Sequence, residues 1–504
     1  MNSTLLRRPF AMVAVAASFA APAAAQDGYL TPPDPIPAII DAQPTPAVLV
    51  GRDRRTLALL GREGLPSIAT MAEPELQLAG FRISPRTNGV SATRASYGTS
   101  ITFQDLATGR SRAVQLPAGA RVSSPSWSPD GRSLAFVNAV GNGLELWVAE
   151  VATGQARRLM GTELNATMGT PFRWLPDNSG LIVARVVPTR GEAPRPSEVP
   201  SGPIVQENAG RTAPGRTYQD LLQSPADERL FEYYFTAQLS RVPVDGGAPA
   251  DVGPPGIFPS FDPSPDGRFL LVRRVKRPYS YVVPAGSFPR ETAVWDMAGR
   301  VVRQVADIPL TDDLPSSFDA VPVGPRGVEW RSDAPATLVW AEAQDGGDPR
   351  REAAVRDRVF ALDAPFTAQP TRIMDLEHRY AGIWWGRPDL AIATSRWWNT
   401  RRERRFAIDP SAPAAAPRLL VDRSYQDRYG DPGSPLFTVT PSGHPVMQFT
   451  ADGRGIFLTS AGASERGNYP FLDVMDVATG QSRRLWRAAD PYFESVVAVL
   501  RPDG

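Results

Sequence analysis

One punctuation recurs down this chain, and it limits the folds open to it. Trp127-Ser128-Pro129-Asp130-Gly131-Arg132 stands before the apolar run Ser133-Leu134-Ala135-Phe136-Val137. Asp262-Pro263-Ser264-Pro265-Asp266-Gly267-Arg268 stands before Phe269-Leu270-Leu271-Val272. Weaker copies are Trp174-Leu175-Pro176-Asp177-Asn178 before Leu181-Ile182-Val183, and Thr450-Ala451-Asp452-Gly453-Arg454 before Ile456-Phe457-Leu458. Each reads as a tight turn feeding a strand: Pro presets φ, Asp caps the turn, and Gly takes a positive φ without a steric cost.

A second marker closes each unit. Leu106-Ala107-Thr108-Gly109, Val151-Ala152-Thr153-Gly154 and Val477-Ala478-Thr479-Gly480 each lie between two strand-like runs. Looser equivalents follow Asp245, Asp296, Asp363 and Asp409. Counted from the acids Asp105, Glu150, Asp245, Asp296, Asp363, Asp409 and Asp476, the gaps are 45, 95, 51, 67, 46 and 67 residues. A base period near 45 residues is that of a four-stranded propeller blade. The expected fold is therefore all-β, a β-propeller of about seven four-stranded blades over residues 45–500. The long gap holds a Pro-rich, partly helical insertion at about 187–229, with short helices expected at Thr217–Leu222 and Asp227–Ala237. A two-domain β-sandwich protein is the alternative, and it would not account for seven matched turns at this period.

Composition agrees. Pro and Gly together are 94 of 504 residues, about 19%, which suits many short strands and argues against long helices. The formal charge is +1, so no basic excess points to nucleic acid. There is no Cys, which excludes a disulfide framework, a thiolate zinc site and a thiol nucleophile. The two His, His378 and His444, cannot make a His-rich metal centre, and no metal or cofactor is expected.

Residues 1–25 read as a secretory signal peptide. Arg7 and Arg8 precede a twelve-residue apolar stretch, Phe10 to Ala21, and Ala23-Ala24-Ala25 supplies a cleavage site. Residues 26–44 form an N-terminal extension. The mature protein is expected in the periplasm or outside the cell, off the membrane, since no later segment has the roughly 18 apolar residues a spanning helix needs.

Catalytic patterns are missing. No Gly-x-Ser-x-Gly elbow, Walker-A, Rossmann or HExxH pattern occurs; Gly462-Ala463-Ser464-Glu465-Arg466 fails at its last position. His378 or His444 has the chemistry of a general base, but neither lies near a nucleophile motif, and both read as structural.

A set of segments then points to a family. They are Glu73-Pro74-Glu75-Leu76-Gln77-Leu78-Ala79-Gly80, Pro200-Ser201-Gly202-Pro203, Arg216-Thr217-Tyr218-Gln219-Asp220-Leu221-Leu222, Arg277-Pro278-Tyr279-Ser280, Gln344-Asp345-Gly346-Gly347-Asp348 and Asp431-Pro432-Gly433-Ser434-Pro435. With the turns above, the chain from about 29 to 500 resembles the N-terminal propeller half of prolyl oligopeptidase-superfamily (S9) serine peptidases, and most closely their glutamyl endopeptidase branch. The resemblance implies that an α/β-hydrolase domain carrying Ser, Asp and His follows the propeller; none of the three transfers to this sequence. It implies a propeller that gates and selects peptides or unfolded chains for that domain, so the expected partners are a peptide substrate and a hydrolase domain. A stand-alone periplasmic propeller acting as a binding or scaffold protein is the alternative.

Given that resemblance, the candidate substrate contact is Trp397-Trp398-Asn399-Thr400-Arg401-Arg402-Glu403-Arg404-Arg405. It reads as a hairpin tip, and Arg401, Arg402 and Arg404 have the fork geometry for a substrate carboxylate. A solvated loop paired locally through Glu403 is the competing reading. The Gln344–Asp348 loop is a second candidate, against an ordinary turn. Trp384 and Trp385 read as core.

Overall fold

A computed structural model of the chain describes residues 32–195, 217–315 and 317–501. The signal peptide expected at 1–25 and residues 196–216 of the insertion lie outside the described residues. The chain divides into two compact parts at Gln43/Pro44. The described residues of the first part hold one short helix, Ile36–Ile40.

The second part is built of antiparallel ladders. They group into seven four-stranded units, at 47–113, 122–160, 172–251, 256–308, 326–376, 379–424 and 434–487. The second unit shows the pattern: Val122–Trp127, Ser133–Val140, Gly143–Glu150 and Ala156–Met160 pair in sequence order. All seven acid markers fall at the turn from third to fourth strand of a unit. Short bridges join the first unit to the second (Gly98 with Val122) and the third to the fourth (Thr236 with Ile257).

The repeated sequence makes a repeated turn. Ser128 Oγ donates to Asp130 at 2.6 Å, Ser133 N donates back to Ser128 Oγ at 3.0 Å, and Gly131 has φ +72°. In the fourth unit Ser264 Oγ donates to Asp266 at 2.6 Å, Phe269 N donates to Ser264 Oγ at 3.0 Å, and Gly267 has φ +71°. The second marker is as regular: Thr108 N donates to Asp105 at 2.7 Å and Thr479 N to Asp476 at 2.8 Å, followed by Gly109 and Gly480 at positive φ.

The core lies between units. Buried apolar clusters fill the spaces between the first and second, second and third, third and fourth, fourth and fifth, fifth and sixth, and sixth and seventh units. A middle strand is thus covered on both faces. That is why Leu134 to Ala139 is buried without a break and does not alternate. Each fully buried Leu, Val or Phe contributes about 2 kcal/mol.

Antiparallel strands set the ends of each unit. First-to-second and third-to-fourth turns lie at one end, the turn end. Second-to-third connections and the links between units lie at the other, the insertion end. The insertion end carries a satellite core. The helix Pro225–Phe235 is started by Ser224, whose side chain accepts from Asp227 N, and it buries Leu230, Phe231, Tyr234 and Phe235. These pack with Leu78 and Ile83 from the first unit and Val283 and Phe288 from the fourth. The helix expected at 227–237 thus forms two residues earlier, because Thr236 begins a strand. The helix expected at 217–222 does not form. Asp220 is instead held at φ +59°; its carbonyl accepts from Gly80 N at 2.7 Å and its carboxylate takes Arg82 Nε at 2.7 Å. Those tertiary bonds outweigh the weak local helical preference.

Candidate functional site

At the insertion end, the hairpin from Leu390–Trp397 to Arg402–Ile408 carries the three candidate arginines. Arg401 forms the turn at φ +58°, and its guanidinium lies 3.7 Å from the Trp398 ring centroid. Arg402 pairs with Asp422, one contact being 2.6 Å. Arg404 pairs with Glu377 and, at 3.2 Å, with Asp422. These two arginines therefore already hold carboxylates of the protein, which keep their guanidinium groups firmly protonated. Glu403 is not a surface partner: it is buried and takes Arg396 at 2.5 Å and Arg405 at 2.8 Å.

The Gln344–Asp348 loop is anchored inward. Asp345 is buried and accepts from Arg379 at 2.7 Å, Arg356 at 2.9 Å and Gly347 N at 3.0 Å, and these bonds outweigh burial and lower its carboxyl. Arg379 also donates to buried Asp357 at 3.0 Å and to the Asp319 carbonyl at 2.8 Å. Asp319 in turn accepts from Trp398 N at 3.0 Å. One charge network thus fixes three loops beneath an exposed Phe318–Trp398 ring contact. Trp385 is core; Trp384 is half-buried under Arg405.

His378 is buried and stacked on Trp397, and burial lowers its pKa. His444 lies at the turn end. There the first strands of the second, third and fourth units converge on a cavity of about 500 Å³, lined by Arg52, Trp127, Arg173, Trp174, Asp262 and His444. His444 reaches it on a hairpin, Phe437–Val439 with Pro445–Met447, inserted into the first strand of the seventh unit. The hairpin tip at Gly443 packs against Pro129 of the second unit. Arg173 Nε donates to Asp262 at 2.9 Å. Burial and then Arg52 lower the His444 pKa, against Asp262.

Sequence reasoning missed this assembly. Its signals were present but local: Asp262 opens one repeated turn, and Arg52 occupies the matching turn of the first unit. Among the described residues no group of three or more His, Asp or Glu has metal-site geometry. No helix among them is long and apolar enough to cross a membrane.

The comparisons with known proteins agree with this architecture. Residues 81–171 match the family model of the dipeptidyl peptidase IV N-terminal region. The solved structure of Porphyromonas gingivalis dipeptidyl peptidase 4 overlays with a TM-score of 0.50 at 11% identity, covering 87% of this chain and 52% of that one. The class is therefore a β-propeller of the kind carried by S9 peptidases. More narrowly, the chain is a propeller of the S9 peptidase family type, similar to glutamyl endopeptidase. It is 39% identical over 494 residues to the probable chloroplastic glutamyl endopeptidase of Arabidopsis thaliana, and 38% identical over 495 residues to that of Oryza sativa subsp. japonica. Each match covers 94% of this chain and 51% or 52% of the relative, so the chain spans about half the length of these relatives.

Proposed function

We propose that this chain gates and selects peptide substrates for a serine peptidase with glutamyl endopeptidase-like activity, and that the propeller itself is not catalytic. The observation that carries the reading is the 39% identity to a probable glutamyl endopeptidase along nearly the whole propeller. An α/β-hydrolase domain supplies the Ser, His and Asp, and peptides or unfolded chains are the substrate class. At the insertion end, Arg401 is the hairpin arginine able to meet a substrate carboxylate, since Arg402 and Arg404 are engaged by Asp422 and Glu377. Export to the periplasm or beyond follows from the leader at residues 1–25.

The test has two arms. Purified residues 26–504 are expected to hydrolyse no peptide and to resist a fluorophosphonate serine-hydrolase probe; labelling of this chain would sink the reading. The native protein, captured from its source cells, is expected to exceed 54.5 kDa by a hydrolase-sized increment, or to co-purify with one. N-terminal sequencing of the same sample is expected to begin near Gln26.

A further inference from the structure

We propose that the turn-end cavity is a binding site for a peptide carboxylate, with Arg52 as its anchor. Four charged or ionisable groups line it: Arg52, Arg173, Asp262 and His444. The one acid among the described lining residues, Asp262, is already taken by Arg173. Arg52 makes no hydrogen bond or ion pair among the described residues, and its Nε is buried without a partner. The site therefore holds one guanidinium in excess, half-withdrawn from water. Burial lowers the pKa of this group, so its surroundings favour an incoming anion.

The size and walls narrow the ligand. About 500 Å³ admits a side chain or the end of a peptide. Trp127, Trp174, Pro125 and Pro263 give apolar walls that suit a peptide better than an inorganic ion. A single uncommitted positive charge matches a monoanionic carboxylate, and the planar guanidinium accepts it in a two-point grip. Because the cavity is assembled from the turn of the first unit, the first strands of the second, third and fourth units and the hairpin tip, a bound carboxylate would bridge them. The site lies at the opposite end of the units from Arg401, and its assignment does not depend on any hydrolase domain.

Three peptides titrated into the full chain at low salt test this, followed by tryptophan fluorescence and calorimetry. N-acetyl-Ala-Glu-Ala-amide carries only a side-chain carboxylate, N-acetyl-Ala-Ala-Ala only a terminal one, and N-acetyl-Ala-Gln-Ala-amide neither. At least one carboxylate peptide is expected to bind about tenfold or more tightly than the Gln peptide. The arm that binds tells an acidic side chain from a chain end. Arg52→Met is expected to lose that preference and Arg52→Lys to keep part of it. Equal binding of the Gln peptide, no binding of either carboxylate, or an unchanged preference in a folded Arg52→Met variant would overturn the proposal. If Arg52→Met does not fold, the wild-type comparison of the two carboxylate peptides with the Gln peptide decides alone. Peptide hydrolysis enters none of these readouts, so failure here and failure of the gating reading are separable.

Discussion

Arg379 ties two loops and a strand end together through one guanidinium, with Asp345, the Asp319 carbonyl and Asp357 as acceptors. Each carboxylate keeps a second arginine, Arg356 for Asp345 and Arg326 for Asp357. Removing Arg379 leaves both acids buried with half their compensation. Arg379→Ala is expected to cost about 3 kcal/mol, the lower end for breaking a buried ion pair, and a denaturant melt would show it. Glu329 offers a test of opposite sign. It stands on the first strand of the fifth unit beside Tyr380, and burial raises its carboxyl to about 7 despite Arg273. Water reaches the side chain, yet protein hems it in; confinement sets the direction of the shift and water limits its energy. Because the folded pKa exceeds the unfolded one, the folded state holds the proton more tightly. This contribution is present below the usual carboxyl range and is lost as pH rises through about 7. Glu329→Gln should flatten the stability profile between about pH 5 and pH 8, raising stability at the upper end by no more than about 1 kcal/mol. Urea melts of both proteins at the two pH values would check it; parallel profiles would contradict it.

At the level of elements, the turns were legible and the insertion only in part. Ser128-Pro129-Asp130-Gly131 and Asp105-Leu106-Ala107-Thr108-Gly109 fold by contacts within five residues, so their residues state their geometry. The helix Pro225–Phe235 was readable for a similar reason, having a Ser-Pro start and an apolar face. Asp220 was not readable, because its conformation is set by Arg82 and Gly80 some 140 positions earlier. The candidate arginines fall between these cases: the hairpin was visible, but Asp422 comes from another strand and Glu377 from the link between the fifth and sixth units, and nothing near Arg402 announces them. The satellite core has its own consequence. Phe231 is fully buried among Phe235, Tyr279 and Phe288, away from the spaces between units. Phe231→Ala removes packing worth about 3–5 kcal/mol. The damage should stay local: amide exchange is expected to speed up at 217–235 and 276–288 while Phe269–Val275 remains protected. Equal acceleration in both would show that the insertion and the ring unfold together.

For the whole molecule, the informative place is the seam where the last unit meets the first. Elsewhere the units are joined by buried apolar clusters, and by an indole bond repeated between first strands. Trp174 Nε1 donates to the Ser126 carbonyl at 3.1 Å and Trp330 Nε1 to the Asp262 carbonyl at 2.8 Å. Trp127 holds the same position in the second unit, but its Nε1 finds no partner among the described residues. The first strand of the first unit, Ala47–Val50, has no buried residue, whereas Gly256–Pro263 of the fourth unit has four. Contacts bringing the chain's end back to the first unit are polar: Val499 offers its carbonyl to Arg54 at 3.4 Å and to Gln448 at 2.9 Å. Two half-buried hydrogen bonds contribute about 1 kcal/mol each, less than a buried apolar cluster, so the propeller should be weakest here. Native-state hydrogen exchange is expected to release Ala47–Val50 first, at a free energy well below that for Phe269–Val275. The carboxylate peptide should narrow that difference, because Arg52 and His444 bring the first and seventh units to one cavity and a ligand between them binds only the closed arrangement. If Ala47–Val50 exchanged only with the global core, the seam would be as strong as the other interfaces, and access through it would require unfolding the whole ring.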